Sequence, residues 1–292
     1  MSTTGYATRP AKPRSAPPRP GFRLRHPRRT FRITTGILIA LLFAIPIAYV
    51  VMISFESQGH FVRSPLAPPT SPTFSNFSAA WTQGDLGPQV LNTILYSVVA
   101  AAISVALSLL IAFPIARRLI RRSTFIYRTF VIGVCIPLPV IPLFIEAQRL
   151  DLYNSRIGYI LLHVEPGLPL GVILLTAFVL SVPEELDEAA YLEGCSYLRY
   201  LVRIVAPLAW PSIVIAFLYS LLQVWNDIIG PVVFLSDPGL FPVTRGVYNF
   251  YGANVSSYTI LAAAVVIVSL PVVALFIASQ RQLLRASVIA SR

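Results

Sequence analysis

Five of the chain's twelve acids fall within ten residues: Glu184, Glu185, Asp187, Glu188 and Glu193, inside the stretch PEELDEAAYLEGCSYLRYL at 183–201. Acids gathered on a short segment suit docking into a basic cleft. A second polar group, Tyr219, Gln223, Trp225, Asn226 and Asp227, closes an otherwise apolar run. Polar groups in a bilayer are costly and often mark a solute path. Tyr219 and Trp225 equally suit interfacial anchoring, and Asp227 simple exposure. Catalytic and metal chemistry find little support. His26, His60 and His163 are isolated, no His-Glu-x-x-His occurs, and neither Cys135 nor Cys195 has a second ligand at metal spacing. No metal site is expected. No Gly-x-x-x-x-Gly-Lys-[Ser/Thr] is present, so the chain lacks a phosphate cradle and is expected to bind no cofactor itself.

The elements that must position these groups follow from composition. The 292 residues are 55% hydrophobic and 12% charged, where a soluble domain carries about 25% charge. Mean hydropathy is +0.71. These values predict an all-α, multi-pass membrane protein. Charge-free runs predict six transmembrane helices at about 33–54, 90–115, 125–147, 157–182, 205–226 and 257–280. The third is expected to be kinked by Pro137, Pro139 and Pro142. Such a break can line a cavity or simply shape packing. Glu165 precedes Pro166, which suggests an irregular, water-reached segment in the fourth. Residues 1–32 hold six prolines from Pro10 onward, nine basic residues and no acid. They read as a disordered basic tail and not as a signal peptide. Residues 281–292 read as a second tail.

Orientation follows from Lys and Arg. Both tails, with the second and fourth connections, hold nineteen of the 23 basic residues; Arg63, Arg149, Arg156 and Arg245 hold the other side. Both termini are therefore expected in the cytoplasm of a cell-membrane protein. The net charge of +11 reports topology, and no nucleic-acid partner is expected. Acids contribute little to orientation, so the 184–193 cluster needs another reason.

Ser181-x-x-Glu184 with Pro183 reads as a helix start and Gly194 as a helix stop. The spacing puts Leu186, Ala189, Ala190 and Glu193 on one face, and Glu184, Asp187, Glu188 and Tyr191 on another. A second short helix is expected over Ser196–Val205, ended by Pro207. Periodicity alone leaves two readings, a docking element and a solvated amphipathic connector.

Glu188-Ala189-Ala190, then Gly194, then Pro207 resembles the EAA loop of permease subunits in binding-protein-dependent ABC importers. The chain departs from that pattern at Glu193, Cys195 and Ala206. The resemblance covers about 250 residues. It includes Asn76-Phe77, Asn92-Thr93, Ala116-Arg117, Pro142-Leu143, Asn154, Trp225-Asn226, Phe241-Pro242-Val243, Leu270-Pro271 and Gln280-Arg281. Together these resemble the carbohydrate, maltose-permease-G-like type, although Arg285-Ala286-Ser287 replaces the usual basic-Gly-Leu ending. The resemblance implies a type I ABC importer permease fold and no enzymatic activity of its own. Implied partners are a second permease subunit in a heterodimer, two ABC ATPase subunits or a homodimer that hold ATP-Mg, an external solute-binding protein, and membrane lipid. It assigns ATPase coupling to Glu184, Glu185, Glu188, Ala189, Ala190, Glu193, Gly194 and Pro207. In that reading Glu188 pairs with a donor on the ATPase, Ala190 permits its close approach and Gly194 makes the turn. The solute implied is a sugar or oligosaccharide; glycerol phosphate, phosphate and amino acids are the alternatives. Phe74, Phe77 and Trp81 either meet the binding protein or cover span ends. An intramembrane enzyme and an ATPase-free scaffold or channel are the competing classes.

Overall fold

The computed structural model describes residues 27–252 and 257–290, all helix, turn and loop, with no strand among them. The expected tail at 1–32 lies outside the described residues except for 27–32, which open α1 (Pro27–Ser54). The chain divides between Ile47 and Ala48 into two compact units. The described part of the first is the beginning of α1, whose apolar side chains are exposed. All that follows lies in the second.

Two short helices, α2 (Gln58–Arg63) and α3 (Ser75–Gln83), lead to α4 (Leu86–Ala116). Thirty-one residues give α4 a length of about 46 Å. Just after α1, Phe55 packs edge-on against Phe74 and tilted against Phe77 of α3, at centroid distances of 5.2 and 5.0 Å. Phe77 thus covers a span end, while Phe74 and Trp81 stay largely exposed.

The expected third crossing is two helices, α5 (Ser123–Gly133) and α6 (Val140–Arg149). Pro137 and Pro139 offer no N–H across the gap, so the chain breaks where a kink was expected. Pro142 falls in the first turn of α6, where the missing donor is tolerated.

The next helix, α7 (Arg156–Ser181), starts at Ser155, whose hydroxyl accepts the Gly158 N–H at 3.0 Å. It runs unbroken through Pro166 and Pro169, so the irregular segment expected at Glu165 is regular helix. Close packing supports it there. A Cβ on Gly167 would lie 2.5 Å from Ser104 Oγ and 2.3 Å from Ser220 Oγ, and one on Gly171 2.3 Å from Ser108 Oγ. Gly167-x-x-x-Gly171 therefore meets Ser104-x-x-x-Ser108 of α4, a small-residue seam that lets two backbones approach.

A hairpin follows: α8 (Glu185–Leu192), then α9 (Tyr197–Tyr200), a π turn over Leu201–Val205, and α10 (Ala206–Leu208). The second arm thus passes through Pro207, which had been expected to end it. The chain turns by 87° before α11 (Trp210–Trp225). The fifth crossing starts at Trp210, five residues later than expected.

Beyond α11 come α12 (Ile229–Phe234), α13 (Val243–Gly252) and α14 (Tyr258–Ala290). The backbone of 281–290, expected as a tail, continues α14. The α12–α13 connection is stapled by side chains. Asn92 Nδ2 donates to Gly239 O and Phe241 O at 2.9 and 3.2 Å, and Tyr96 to Leu240 O at 3.0 Å. The Val243 N–H donates to Thr93 Oγ1 at 2.8 Å. Asn154 Oδ1 accepts the N–H groups of Ser236 and Asp237, both at 2.9 Å.

Among the described residues, four helices are long and apolar enough to cross a membrane: 33–54, Leu86–Ala116, Arg156–Ser181 and Tyr258–Gln280. The bent pair Tyr197–Leu208 and Trp210–Trp225 makes a fifth when its two arms are taken together as one span. The remaining expected crossing, the third, is the broken pair α5–α6, neither part of which spans by itself.

Candidate coupling hairpin and candidate solute cavity

The hairpin has a buried side and an exposed side. On the buried side Ala190 packs with Phe113 and Ala116 of α4 and with Tyr200 and Val205. Asp187 is held from three directions. Arg117 Nη2 donates to Asp187 Oδ1 at 3.3 Å and to Val182 O at 3.0 Å. Arg117 Nε stands 2.5 Å from Oδ2 but out of line for a hydrogen bond, so that contact is ionic. The Tyr200 hydroxyl donates to the same carboxylate. The Arg117 side chain is only 7% exposed, which strengthens the attraction relative to a surface pair.

The exposed side carries Glu184, Glu185, Glu188, Ala189 and Glu193, with Tyr191 and Leu192 beside them. None of these acids forms an ion pair among the described residues. Ala190, expected to admit a partner, is instead turned inward; Ala189 is the outward small residue. Pro207 is exposed on the second arm.

Two local expectations resolve differently. Gly194 adopts φ +70° with open space around its missing Cβ, so it serves backbone conformation and not packing. Cys195 N donates to Ala190 O and Gly194 N to Tyr191 O, both at 3.0 Å, a Schellman closure of α8. Ser181, expected to cap α8, bonds back to Phe178 O at 2.6 Å, and α8 begins without a side-chain cap.

The second region is a cavity of about 570 Å³ among α5–α6, α7 and α11. It gathers Tyr219, Gln223, Asn226 and Asp227, four of the five polar candidates, and adds His163 and Glu165. Gln223 Nε2 donates to the Tyr219 hydroxyl at 2.8 Å, as i, i+4 spacing allows. Trp225 is not among them. It is 5% exposed and packs with Ala101 and Leu221 away from the cavity.

Asp227 follows the end of α11 and is the most heavily bonded acid there. The Tyr159 hydroxyl and His163 Nε2 meet Oδ2 at 3.1 and 3.0 Å, and the Gly230 N–H donates to Oδ1 at 3.0 Å. Burial by itself raises the carboxyl, but the hydrogen bonds from His163, Gly230 and Tyr159 outweigh it and hold Asp227 below its ordinary value. A Cβ on Gly230 would come within 2.0 Å of Oδ2, so only glycine admits this approach. Glu165 is exposed on the cavity wall and forms no ion pair among the described residues. Among the described residues, no three His, Cys, Asp or Glu side chains converge as metal ligands.

Arg117, Tyr200, Tyr159 and His163 were not among the sequence candidates, and Asp187 was read only as one of the acid cluster. Their partners are 13 to 70 residues apart in sequence, and no local spacing signals such pairs.

Comparison with known proteins agrees on the class of molecule. The family described as "Binding-protein-dependent transport system inner membrane component" matches residues 104–286. The diacetylchitobiose uptake system permease protein NgcG of Streptomyces coelicolor is 29% identical over 262 residues, covering 88% of this chain and 87% of its own. The melibiose/raffinose/stachyose import permease protein MelC of Bacillus subtilis is 28% identical over 258 residues, covering 87% and 93%. A crystal structure of a bacterial ABC transporter involved in the import of the acidic polysaccharide alginate contains a chain with TM-score 0.73 and 20% identity, covering 88% of this chain and 97% of that one. At that identity the likeness is one of fold, and the fold is the importer-permease fold.

Proposed function

The chain belongs to the family of binding-protein-dependent transport system inner membrane components, and from that premise we propose that it forms half of the translocation pathway for a sugar or oligosaccharide in an ATP-driven importer. It is a multi-pass membrane transport component and not an enzyme. Relatives named for diacetylchitobiose and for melibiose, raffinose and stachyose favour a saccharide over phosphate, glycerol phosphate or an amino acid.

In this reading an external binding protein delivers the solute. A second permease subunit completes the pathway, and two ATPase subunits carry ATP-Mg on the cytoplasmic side. The bias of basic residues puts both termini and the α8 hairpin there. The observation that carries the reading is the two-sided hairpin. Asp187 and Ala190 fix α8 to this chain, while Glu184, Glu185, Glu188, Ala189 and Glu193 face outward. A rigid element with an unused acidic face can transmit a partner's closure to a two-state membrane assembly. Tyr219, Gln223, Asn226 and Asp227 form this chain's share of the solute path. Trp225 supports that wall from behind.

The test is co-purification with the ATPase together with ATP-dependent uptake in proteoliposomes. Glu188→Lys and Ala189→Trp should lose the ATPase while the chain still inserts and melts normally. Retention of the ATPase at wild-type levels by both variants would sink the reading.

A further inference from the structure

The cavity carries charge of essentially one sign. Its ionisable lining groups are His163, Glu165 and Asp227, and no lysine or arginine lines it. Asp227 is committed to Tyr159, His163 and the Gly230 N–H. Glu165 is not. It sits about two and a half turns into a membrane-spanning helix, exposed to the cavity and without an ion-pair partner among the described residues. An unpaired carboxylate at that depth is expensive and marks a pathway. His163 does not change the sign, because two carboxylates outweigh one imidazolium. The other polar lining groups, Tyr219, Gln223 and Asn226, are uncharged and suited to hydroxyls. A volume of about 570 Å³ is of small-ligand size.

We infer that this cavity is a charge filter: it accepts uncharged or amine-bearing saccharides and turns away those bearing carboxylate, sulfonate or phosphate, with Glu165 as the determinant. Like charges meeting at a protein cavity wall repel more strongly than in bulk water. Asp227 contributes less, since its charge is already answered by donors. The inference rests on the saccharide reading above and goes beyond it by choosing among saccharides.

The test uses the intact complex of both permease subunits and the ATPases, without the binding protein, so that only the membrane site selects. Three disaccharides of similar size serve as probes: N,N′-diacetylchitobiose (uncharged), chitobiose (amine-bearing) and digalacturonate (dianionic). Binding is read by saturation-transfer NMR. The wild type should bind the first two and not the third. Glu165→Gln should raise digalacturonate binding at least about tenfold relative to diacetylchitobiose binding by the same variant, equivalent to about 1.4 kcal/mol. Glu165→Asp should keep the exclusion, which separates charge from a folding defect. Equal binding of all three by the wild type, or no change in Glu165→Gln, overturns the inference and leaves the saccharide reading standing. Failure of every saccharide to bind overturns both.

Discussion

The hairpin and the cavity handle their acids in the same divided way, at different depths. In the hairpin one acid, Asp187, is consumed by Arg117 and Tyr200, while the remaining acids are exposed. In the cavity one acid, Asp227, is consumed by Tyr159, His163 and Gly230, while Glu165 is unanswered. The difference is the medium. Exposed acids beside water cost little to leave unpaired, whereas one set into a membrane-spanning helix is costly. In these two regions the acids with an internal partner hold the shape, and those without one are the acids we propose to meet a guest.

The largest expected effect tests the first half of that division. Arg117→Ala should leave Asp187 half-buried without its cation and cost roughly 3 kcal/mol, the low end for a broken buried pair. A lowered melting temperature in detergent and loss of ATPase co-purification would together check it. A variant that melts like wild type would mean that the hairpin is not fastened by this pair. Next comes the seam between α4 and α7, the helix that carries Glu165 about two and a half turns from its start and leads to the hairpin at its other end. Gly171→Ala should cost about 1–3 kcal/mol by overpacking against Ser108. The double variant with Ser108→Gly should recover much of that loss in the same melt, and additive losses would argue against direct contact.

Gly194→Ala should cost about 1–2 kcal/mol through its left-handed backbone alone, since the space around it is open. Gly194→Asn should cost less. Equal losses for the two would point to packing instead. The cavity's committed acid gives a pH test. Asp227 has a depressed folded value, so its stabilisation is fully present above the ordinary aspartate value of about 3.9 and is lost as pH falls through the lower folded value. Asp227→Asn should flatten that acid arm of the stability profile; an unchanged arm would refute the assignment. Glu188→Lys is the smallest perturbation, within about 0.5 kcal/mol of wild-type stability, yet it should release the ATPase. Stability loss comparable to Arg117→Ala would erase the distinction between committed and free acids.

Much of this division was legible in the sequence. Charge-free runs located the helices that stand at 33–54, 86–116, 156–181 and 258–280, because the signal is long and composition alone carries it. Gly194 was readable because few residues adopt its backbone angle. Tyr219 and Gln223 share a face by helical spacing, and Asn226 and Asp227 follow at the helix end. Trp225 parts from the other four because one residue of helical rotation turns it from the cavity into the packing against Ala101. Local signals also overreached at Ser181, where a closer carbonyl claimed the hydroxyl. They underreached at 134–139, where Pro137 and Pro139 break a crossing instead of bending it. Arg117–Asp187 and His163–Asp227 depend on long-range folding and leave no local mark. The Gly167 and Gly171 pair opposite Ser104 and Ser108 did leave one, the familiar spacing of small residues in membrane helices.

The right-angle turn ahead of α11 has a mechanical consequence. The joint is stiff: Ala209 is fully buried, Ala209 N donates to Val205 O at 2.8 Å, and Ile213 N donates to Ala209 O at 2.9 Å. The arm Tyr197–Leu208 is about 18 Å long, and Trp210–Trp225 about 24 Å. A rod bent at 87° about a buried, hydrogen-bonded joint is a crank. Tilting the short arm, which begins beside the hairpin, must swing the long arm, whose far end carries Gln223 and the Asn226 that follows. The geometry gears a small displacement at one end into a slightly larger sweep at the other.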